Sequence, residues 1–599
     1  MCRKAMLYQF IHIDPQDSRT LQDQIKSDIA KAIFAGFVPK QTSIMSSRRL
    51  AEKLKVSRNT ILRVYEQLAE EGVLVPIERK GYYVNPQLEL GSPAANPDRS
   101  FLASGSGLDW FNYLNAEHSC TDIVVKDLND YPYLFVNGIV DEDLFPVSEW
   151  RKCSIQSLNK SNHRSWTSDD HDYEDLIEQI RTRVLPKRGI FVSKDNIAIT
   201  LGCQNSLYYL SKLLITKQSA VAIENPGYPE ALHQFQARRA NILPIEVDQQ
   251  GLVIDERLAD CHVVYTTPSN QFPTTVRMSP ERRQALITQA EQHDFLIIED
   301  DFEHDVSFIE NSCPPLRCEY HSERIIYISS FTSSIAPGLR IGFIVAAEPL
   351  IAQIKSLQVR THSLPPKSNC QTLALFLSLG YYDVLAQKLL KRYRDKWLTM
   401  EKAMNYYFPQ SGVVASLAGT AFWIEYKQGF DAERFERLAE EQGILINNGA
   451  KYYCCDHKNN SFRLSFQSIR TENIREGIKQ LARIAKQILP NERLEECESP
   501  PLNGQQIRAL LTNQTLLTKD CFNIPYRITL QADGKLIGIS ERPNDVDEGY
   551  WWVKNDKFVY QWRKWQFSDV RYITIVYEHG ELKRFDEEGY FIGEAKFNR

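Results

Sequence analysis

Arg58, Asn59 and Arg63 have the chemistry to read nucleic acid from one predicted helix. Ile61, Val64, Tyr65 and Leu68 recur at helical spacing and mark the face that must be buried. The two arginines and the asparagine therefore project from the opposite face. Arginine can fork the edge of guanine and asparagine that of adenine in a major groove. A basic turn, Arg79-Lys80, lies between the strand-like runs Gly72-Val73-Leu74-Val75 and Gly81-Tyr82-Tyr83-Val84. It has the charge to anchor a phosphate backbone. Three helices must position these groups. The first runs from Leu21 to Ala35 with Ile25, Ile29 and Ile33 on one face. Ser46-Ser47 caps the second, which carries Leu50, Ala51 and Leu54. Lys55-Val56 turns the chain, and Ser57 caps the third, which continues to Glu70. The pattern is a winged helix.

Charge agrees with that reading. Residues 1–86 carry 14 Lys and Arg against 9 Asp and Glu, a surplus of +5 in a chain of net charge −5, so the remainder stands at −10. A basic head on an acidic body points the head at a polyanion. The chain has 599 residues, 43% apolar and 25% charged, with 27 Gly and 27 Pro, which excludes collagen-like, coiled-coil and disordered classes. That length is enough for several domains. No apolar run reaches the ~20 residues of a bilayer span, and Met1 to Pro15 lacks a signal-peptide core. The twelve cysteines include no CxxC and no zinc spacing. A cytoplasmic protein with reduced thiols, no metal and no membrane partner is expected.

The string SSRRLAEKLKVSRNTILRVYEQLAEEGVLV, followed by GYYV, resembles the GntR family of bacterial regulators over residues 21–85. The resemblance implies a double-stranded DNA operator, with Arg48, Arg58, Asn59, Thr60, Arg63 and Gly81 as contacts; Lys80 joins them from the basic turn. Met45 departs from the family, which has Pro before Ser-Ser-Arg, and touches the start of the helix rather than the contacts.

Four parts are expected. Residues 1–86 form the winged helix, and 87–128, rich in Pro, Ser, Asn and Gly, a linker. Residues 129–491 form an α/β body and 502–599 a small antiparallel β domain. In the body, strand-like runs at Ile197–Thr200, Ala220–Glu224, His262–Thr266, Phe295–Glu299 and Arg324–Ser329 alternate with amphipathic helices. Several strings resemble fold-type I pyridoxal phosphate (PLP) aminotransferases, in the version fused to GntR heads, the MocR-type regulators. They are NGIVDEDLFPVSEW, ITLGCQNSLYYL, IENPGYPEAL, YTTPSNQFPTTVRMSPERRQAL, IIEDDFEHD, YISSFTSSIAPGLRIGF and FRLSF.

That resemblance implies a cofactor site. Asp300 matches the carboxylate that keeps the pyridine nitrogen protonated. Gly202, Cys203 and Gln204 match the helix start that holds the phosphate, Ser330 and Thr332 the hydroxyls, and Arg340 the arginine. Tyr228 is the aromatic of the PGYP motif, and Arg463 in FRLSF matches the fork for a ligand carboxylate. The departures are as informative. Ser333 stands where the family has the Schiff-base Lys, and no Lys lies between Pro314 and Glu348. A hydroxyl can neither form an imine nor act as the amine base. Phe302 replaces a Tyr, Thr275 a Gly, and Glu230 follows Pro229 where some relatives carry a basic side chain. A degenerate aminotransferase domain without covalent cofactor or ordinary transamination is expected. It leaves room for noncovalent PLP, pyridoxamine phosphate, a preformed PLP–amino acid imine or another phosphorylated ligand.

From Tyr526 onward, aromatic strands alternate around turns at Asp533-Gly534, Asn555-Asp556, His579-Gly580 and Glu588-Gly589, behind one helix at Gln505–Leu511. A small barrel or sheet is expected, with an aromatic interior that could take an apolar or flat ligand; His579 and Cys521 are candidate metal or haem ligands. Together these parts predict a transcription regulator that binds its operator as a homodimer and answers to a small-molecule effector. The dimer is implied by the fold-type I resemblance. A PLP-dependent transferase or lyase with an unusual base, and a DNA-bound scaffold without ligand, are the alternatives.

Overall fold

Isoleucines four residues apart give the first helix one buried face, and the packing of the head follows from it. The computed structural model describes residues 7–14, 17, 19–78, 80–88, 127–138, 141, 144–158, 173–304, 314–320, 322–332, 334–361, 364–409, 412–414, 419–455, 459–489, 492–542 and 544–598. The chain divides into two compact units, Met1–Asp122 and Ile123–Arg599. Most of the expected 87–128 linker, and Ser333, lie outside the described residues.

In the first unit, helix α1 (Leu21–Phe34) buries Ile25, Ile29, Ala32 and Ile33. Helix α2 (Ser47–Leu54) buries Leu50 and Ala51, and Lys55 ends it in the left-handed region at φ 55°. Ser46 holds the cap position of α2 but its side chain makes no capping hydrogen bond, unlike the expectation. Ser57 does cap α3 (Arg58–Glu70), accepting from the Thr60 amide at 3.1 Å. Strands β1 (Leu74–Ile77) and β2 (Gly81–Val84) pair antiparallel, Leu74 opposite Val84 and Ile77 opposite Gly81.

The second unit is built on an eight-stranded sheet. Its strands are β3 (Ile197–Thr200), β4 (Ala220–Asn225), β5 (Asn241–Asp248), β6 (Gly251–Leu252), β7 (Val263–Thr266), β8 (Leu296–Asp300), β9 (Ile325–Ser330) and β10 (Gly342–Val345). Their order is β3-β10-β9-β8-β7-β4-β5-β6. The run from β9 through β8, β7 and β4 to β5 is parallel, whereas β10 is antiparallel to both neighbours. Parallel strands buried on both faces read as apolar runs, and β7 and β9 are buried at every position. Thr266, Asp300 and Ser330 end adjacent parallel strands, so they gather at the edge where open α/β sheets bind ligands. Helix α4 (Cys203–Leu214) follows β3 at that edge. The long helix α5 (Tyr381–Tyr407) precedes a second sheet of β11 (Gly412–Val414), β12 (Ala421–Glu425), β13 (Asn447–Asn448) and β14 (Ser461–Ser465), ordered β11-β12-β14-β13. Helix α6 (Thr471–Ile488) closes this part.

Helix α7 (Gly504–Leu511) leads into a closed antiparallel barrel. Its strands are β15 (Gln514–Lys519), β16 (Pro525–Leu530), β17 (Lys535–Ser540), β18 (Val546–Lys554), β19 (Lys557–Trp562), β20 (Val570–Glu578), β21 (Glu581–Phe585) and β22 (Phe591–Phe597), with β15 pairing β22 to close it. Asn555 and Asp556 both adopt positive φ in the two-residue turn between β18 and β19, the conformation a tight hairpin requires. The barrel is seated on the body. Cys521 and Phe522, in the loop after β15, belong to the body's main core, and Phe522 meets Phe422 at 5.8 Å. The Cys521 amide donates to Asn405 of α5 at 3.0 Å. Arg475 of α6 pairs with Asp569, and Arg542 pairs with Glu401. Cys521 is thus a packing residue of the junction, and among the described residues no three His, Cys, Asp or Glu side chains gather as a metal site.

Candidate nucleic-acid interface and cofactor cleft

In the head, the buried stripe of α3 is Ile61, Val64, Tyr65 and Leu68. Arg58, Asn59 and Arg63 are exposed on the remaining face, as are Arg48 on α2 and Lys80 and Gly81 at the hairpin tip. None of Arg48, Arg58, Arg63 and Lys80 is tied to a carboxylate among the described residues. Unpaired guanidinium groups on a short helix suit phosphates and base edges. Thr60 is half-buried and its hydroxyl lies 2.8 Å from that of Ser57, so part of its hydrogen-bonding capacity is spent on the cap. The Tyr65 hydroxyl donates to the Met45 carbonyl at 2.7 Å, which fixes the start of α2 from the core.

In the second unit, the cleft centres on Asp300, which is 3% exposed. The Tyr265 hydroxyl donates to its Oδ2 at 2.9 Å, and the Cys203 thiol lies against the same carboxylate. Burial pushes the acid up to about 7, since a charge is costly to desolvate. Its Oδ1 is buried and, among the described residues, has no hydrogen-bond partner. That orphaned acceptor fits a pyridinium N–H. Behind it Asp301 behaves oppositely. Burial is the largest single influence and raises it too, but His304 at 3.0 Å, Arg188 and the Tyr327 hydroxyl together outweigh this and hold it at about 2.

Gly202 opens α4 at φ 104°, a conformation closed to most side chains. A Cβ on Gly342 would sit 2.7 Å from the Gly202 Cα, and one on Gly202 would meet Thr332 Oγ1 at 3.8 Å. The two glycines thus let the α4 start, β10 and the Thr332 hydroxyl converge, and Cys203 reaches both Ser330 and Asp300. This cradle of backbone amides and hydroxyls fits a phosphate. Arg340 is exposed, at φ 47°, two residues before Gly342. Gln204 donates to the Tyr228 hydroxyl at 3.3 Å, and Tyr228 packs edge-on against Phe272 at 5.4 Å. Phe302 meets the same Phe272 at 5.7 Å, so it joins an aromatic cluster. Burial pushes the Tyr228 phenol far up, keeping it protonated.

Arg463 is 1% exposed on β14. Its Nε donates to the Pro273 carbonyl at 3.2 Å, its Nη1 bonds Asn137, and the guanidinium stacks 4.8 Å over Phe272. The chain itself therefore occupies part of the fork expected for a ligand. Sequence reasoning missed Tyr265, Asn137 and the buried Glu303, which accepts from Thr420 at 2.6 Å and from Asn270 at 2.5 Å. Tyr265 and Asn270 lie in the string YTTPSNQ, which was the available signal. Thr275 takes φ 64°, a left-handed conformation that favours glycine, and its Oγ1 is buried and, among the described residues, unpaired.

A winged helix with a free basic reading face, together with an aminotransferase-type cleft, defines a regulator with a fold-type I body. Residues 134–481 match the aminotransferase class I and II family. The HTH-type transcriptional regulator TauR of Rhodobacter capsulatus is 32% identical over 484 residues, which are 80% of this chain and 99% of TauR. The probable rhizopine catabolism regulatory protein MocR of Rhizobium meliloti is 24% identical over 76% of this chain and 92% of its own. Among solved structures, an archaeal alanine:glyoxylate aminotransferase superposes with TM-score 0.59 at 25% identity, over 63% of this chain and all of its own. LysN, the α-aminoadipate aminotransferase of Thermus thermophilus, superposes with TM-score 0.58 at 23% identity, covering 64% of this chain and 99% of LysN. The chain belongs to the MocR-type GntR regulators, DNA-binding transcription regulators with an aminotransferase class I/II domain. The barrel lies beyond the residues that match the aminotransferase family.

Proposed function

We propose that this regulator holds a phosphorylated ligand noncovalently, PLP foremost, in a cleft that no longer transaminates, and that a homodimer presents its heads to paired half-sites of an operator. The observation that carries the ligand reading is the orphaned Asp300 Oδ1 beside a glycine-lined cradle, set against Ser333 at the position of the family's lysine. Asp300 would take the pyridinium nitrogen. The amides of Gly202, Cys203 and Gln204, the hydroxyls of Ser330 and Thr332, and the Arg340 guanidinium would take the phosphate. Tyr228 would lie beside the ring and Arg463 near a ligand carboxylate. PLP, when bound, supplies an electron-poor ring and a dianionic anchor. Asp300 orients that ring, and the aromatic cluster of Tyr228, Phe272 and Phe302 keeps water from one side of it. Without an amine at position 333, no side chain there moves a proton to or from a bound amino acid.

At the operator, α3 enters the major groove with Arg58, Asn59, Thr60 and Arg63, while Arg48, Lys80 and the Gly81 amide fix the backbone. Exposed apolar side chains on the helix Val147–Ser157, with Val147 54% and Ile155 63% exposed, support a second copy as partner. Ligand binding alters operator affinity only through different affinities for two body states. Operator binding with and without saturating PLP tests this. A shifted affinity supports the sensor, and identical curves refute it.

A further inference from the structure

The barrel interior does not read as a plain apolar core. Among the described residues it holds a small cavity of about 20 Å³ that opens to solvent at one end. Leu516, Ile528, Phe558, Ile575 and Leu582 line it. Arg584 reaches into the same space from β21. Its Nη2 donates to Thr518 Oγ1 at 2.8 Å and to the Glu594 carbonyl at 3.3 Å. Its Nε is buried and, among the described residues, has no hydrogen-bond partner, and the Tyr526 phenol lies beside the guanidinium. Asp520, the nearby carboxylate, is already held by Arg542 at 3.0 Å and by the Phe522 and Ile524 amides. A guanidinium left with an unused donor among aliphatic and aromatic walls asks for an anion carrying an apolar body.

We propose that the barrel lumen is a binding site for a small amphipathic monocarboxylate, its carboxylate on Arg584 and Tyr526 and its apolar body against Phe558, Ile575 and Leu516. As it stands the cavity of about 20 Å³ has room for about one water, so the ligand enters by displacing side chains. A longer body displaces Gln566, whose Oε1 accepts from Tyr560 at 3.0 Å inside the lumen. Gln566, Phe567 and Ser568 are three consecutive residues in the left-handed region, at φ 52°, 60° and 60°, an unusual conformation for side chains of this size. The middle one faces the body: Phe567 meets Tyr406 at 6.2 Å and lies 4.3 Å under the Arg475 guanidinium. Occupancy of the lumen is thereby passed along one peptide to α5 and α6. The lumen shares no lining residue with the cleft around Asp300.

The test titrates hexanoate and its neutral twin 1-hexanol into the full-length protein, followed by tryptophan emission, since Trp562 lines the lumen and packs on Trp565 at 4.8 Å. Hexanoate should bind at least about tenfold more tightly than hexanol, and Arg584→Met should erase that preference while leaving hexanol binding in place. Equal affinities for acid and alcohol in the wild-type protein overturn the proposal, as does a preference that survives Arg584→Met or the lack of any saturable response to millimolar hexanoate. The wild-type comparison stands even if the variant does not fold.

Discussion

Replacing Asp300 by Asn should stabilise the protein at neutral and alkaline pH while weakening PLP. The Asp300 carboxyl is displaced from the usual 3.8 to about 7, with burial as the main cause. An acid whose folded pKa is raised costs nothing below its unfolded value. It costs progressively more as pH rises from 3.8 through about 7, because the folded state then holds a proton that the unfolded state has lost. Above that window the displacement corresponds to about 4 kcal/mol, and at pH 5 to under about 2 kcal/mol. The amide oxygen of Asn can keep the Tyr265 hydroxyl as donor, but an unpaired buried amide N–H costs back about 1–3 kcal/mol. The variant should therefore gain about 1–3 kcal/mol at pH 8 relative to wild type, and the gain should shrink by about 2–3 kcal/mol at pH 5. Thermal unfolding of both proteins across pH 5 to 8 measures this, with PLP affinity read in parallel. A pH-independent difference, or a variant less stable at pH 8, would refute the reasoning that burial strains this carboxylate.

Arg58→Ala and Arg63→Ala should each cost about 1–3 kcal/mol of operator binding. Whichever side chain reads a base should relax specificity, whereas a phosphate contact should mainly flatten the salt dependence; unchanged binding in both variants removes α3 as the reading helix. Thr275→Gly should raise stability by about 1 kcal/mol, because it relieves a left-handed β-branched residue and an unpaired buried hydroxyl; a loss of melting temperature would show that Thr275 is held for another reason. Lys396→Met should destabilise by about 3–5 kcal/mol in chemical denaturation, since it strips the fully buried Lys396 ammonium from Asp141 and the Gln467 carbonyl, both at 2.8 Å. Ser333→Lys should yield a PLP adduct reducible by borohydride, and its absence would mean that the cradle does not hold the cofactor in reach of position 333.

Much of the fold was legible because it rests on local periodicity. The stripe Ile61, Val64, Tyr65, Leu68 fixes the orientation of α3, and the expected runs His262–Thr266 and Arg324–Ser329 emerge as the parallel strands Val263–Thr266 and Ile325–Ser330. Turn chemistry placed the Asn555-Asp556 hairpin. Strand β15 went unread. Its sequence, QTLLTK, has weak alternation, and the loop after it carries no glycine. Nor could local pattern reveal that Cys521 and Phe522 leave the barrel to join the body core, since that depends on an interface. In the cleft, motif order led to Asp300, Gly202 and Ser330, all at strand or helix ends. The partners that set their chemistry come from far along the chain. Asn137 bonds Arg463 across 326 positions and Thr420 bonds Glu303 across 117. Only the folded chain brings such pairs together.

The cleft around Asp300 should bind PLP without a covalent bond to lysine. An absorbance titration of the full-length protein with PLP, followed by borohydride reduction and peptide mapping, tests it most directly. The expected result is a saturable spectral change that is lost on dialysis and leaves no reduced adduct. A stoichiometric adduct on a single lysine would contradict it, and so would the absence of any saturable binding.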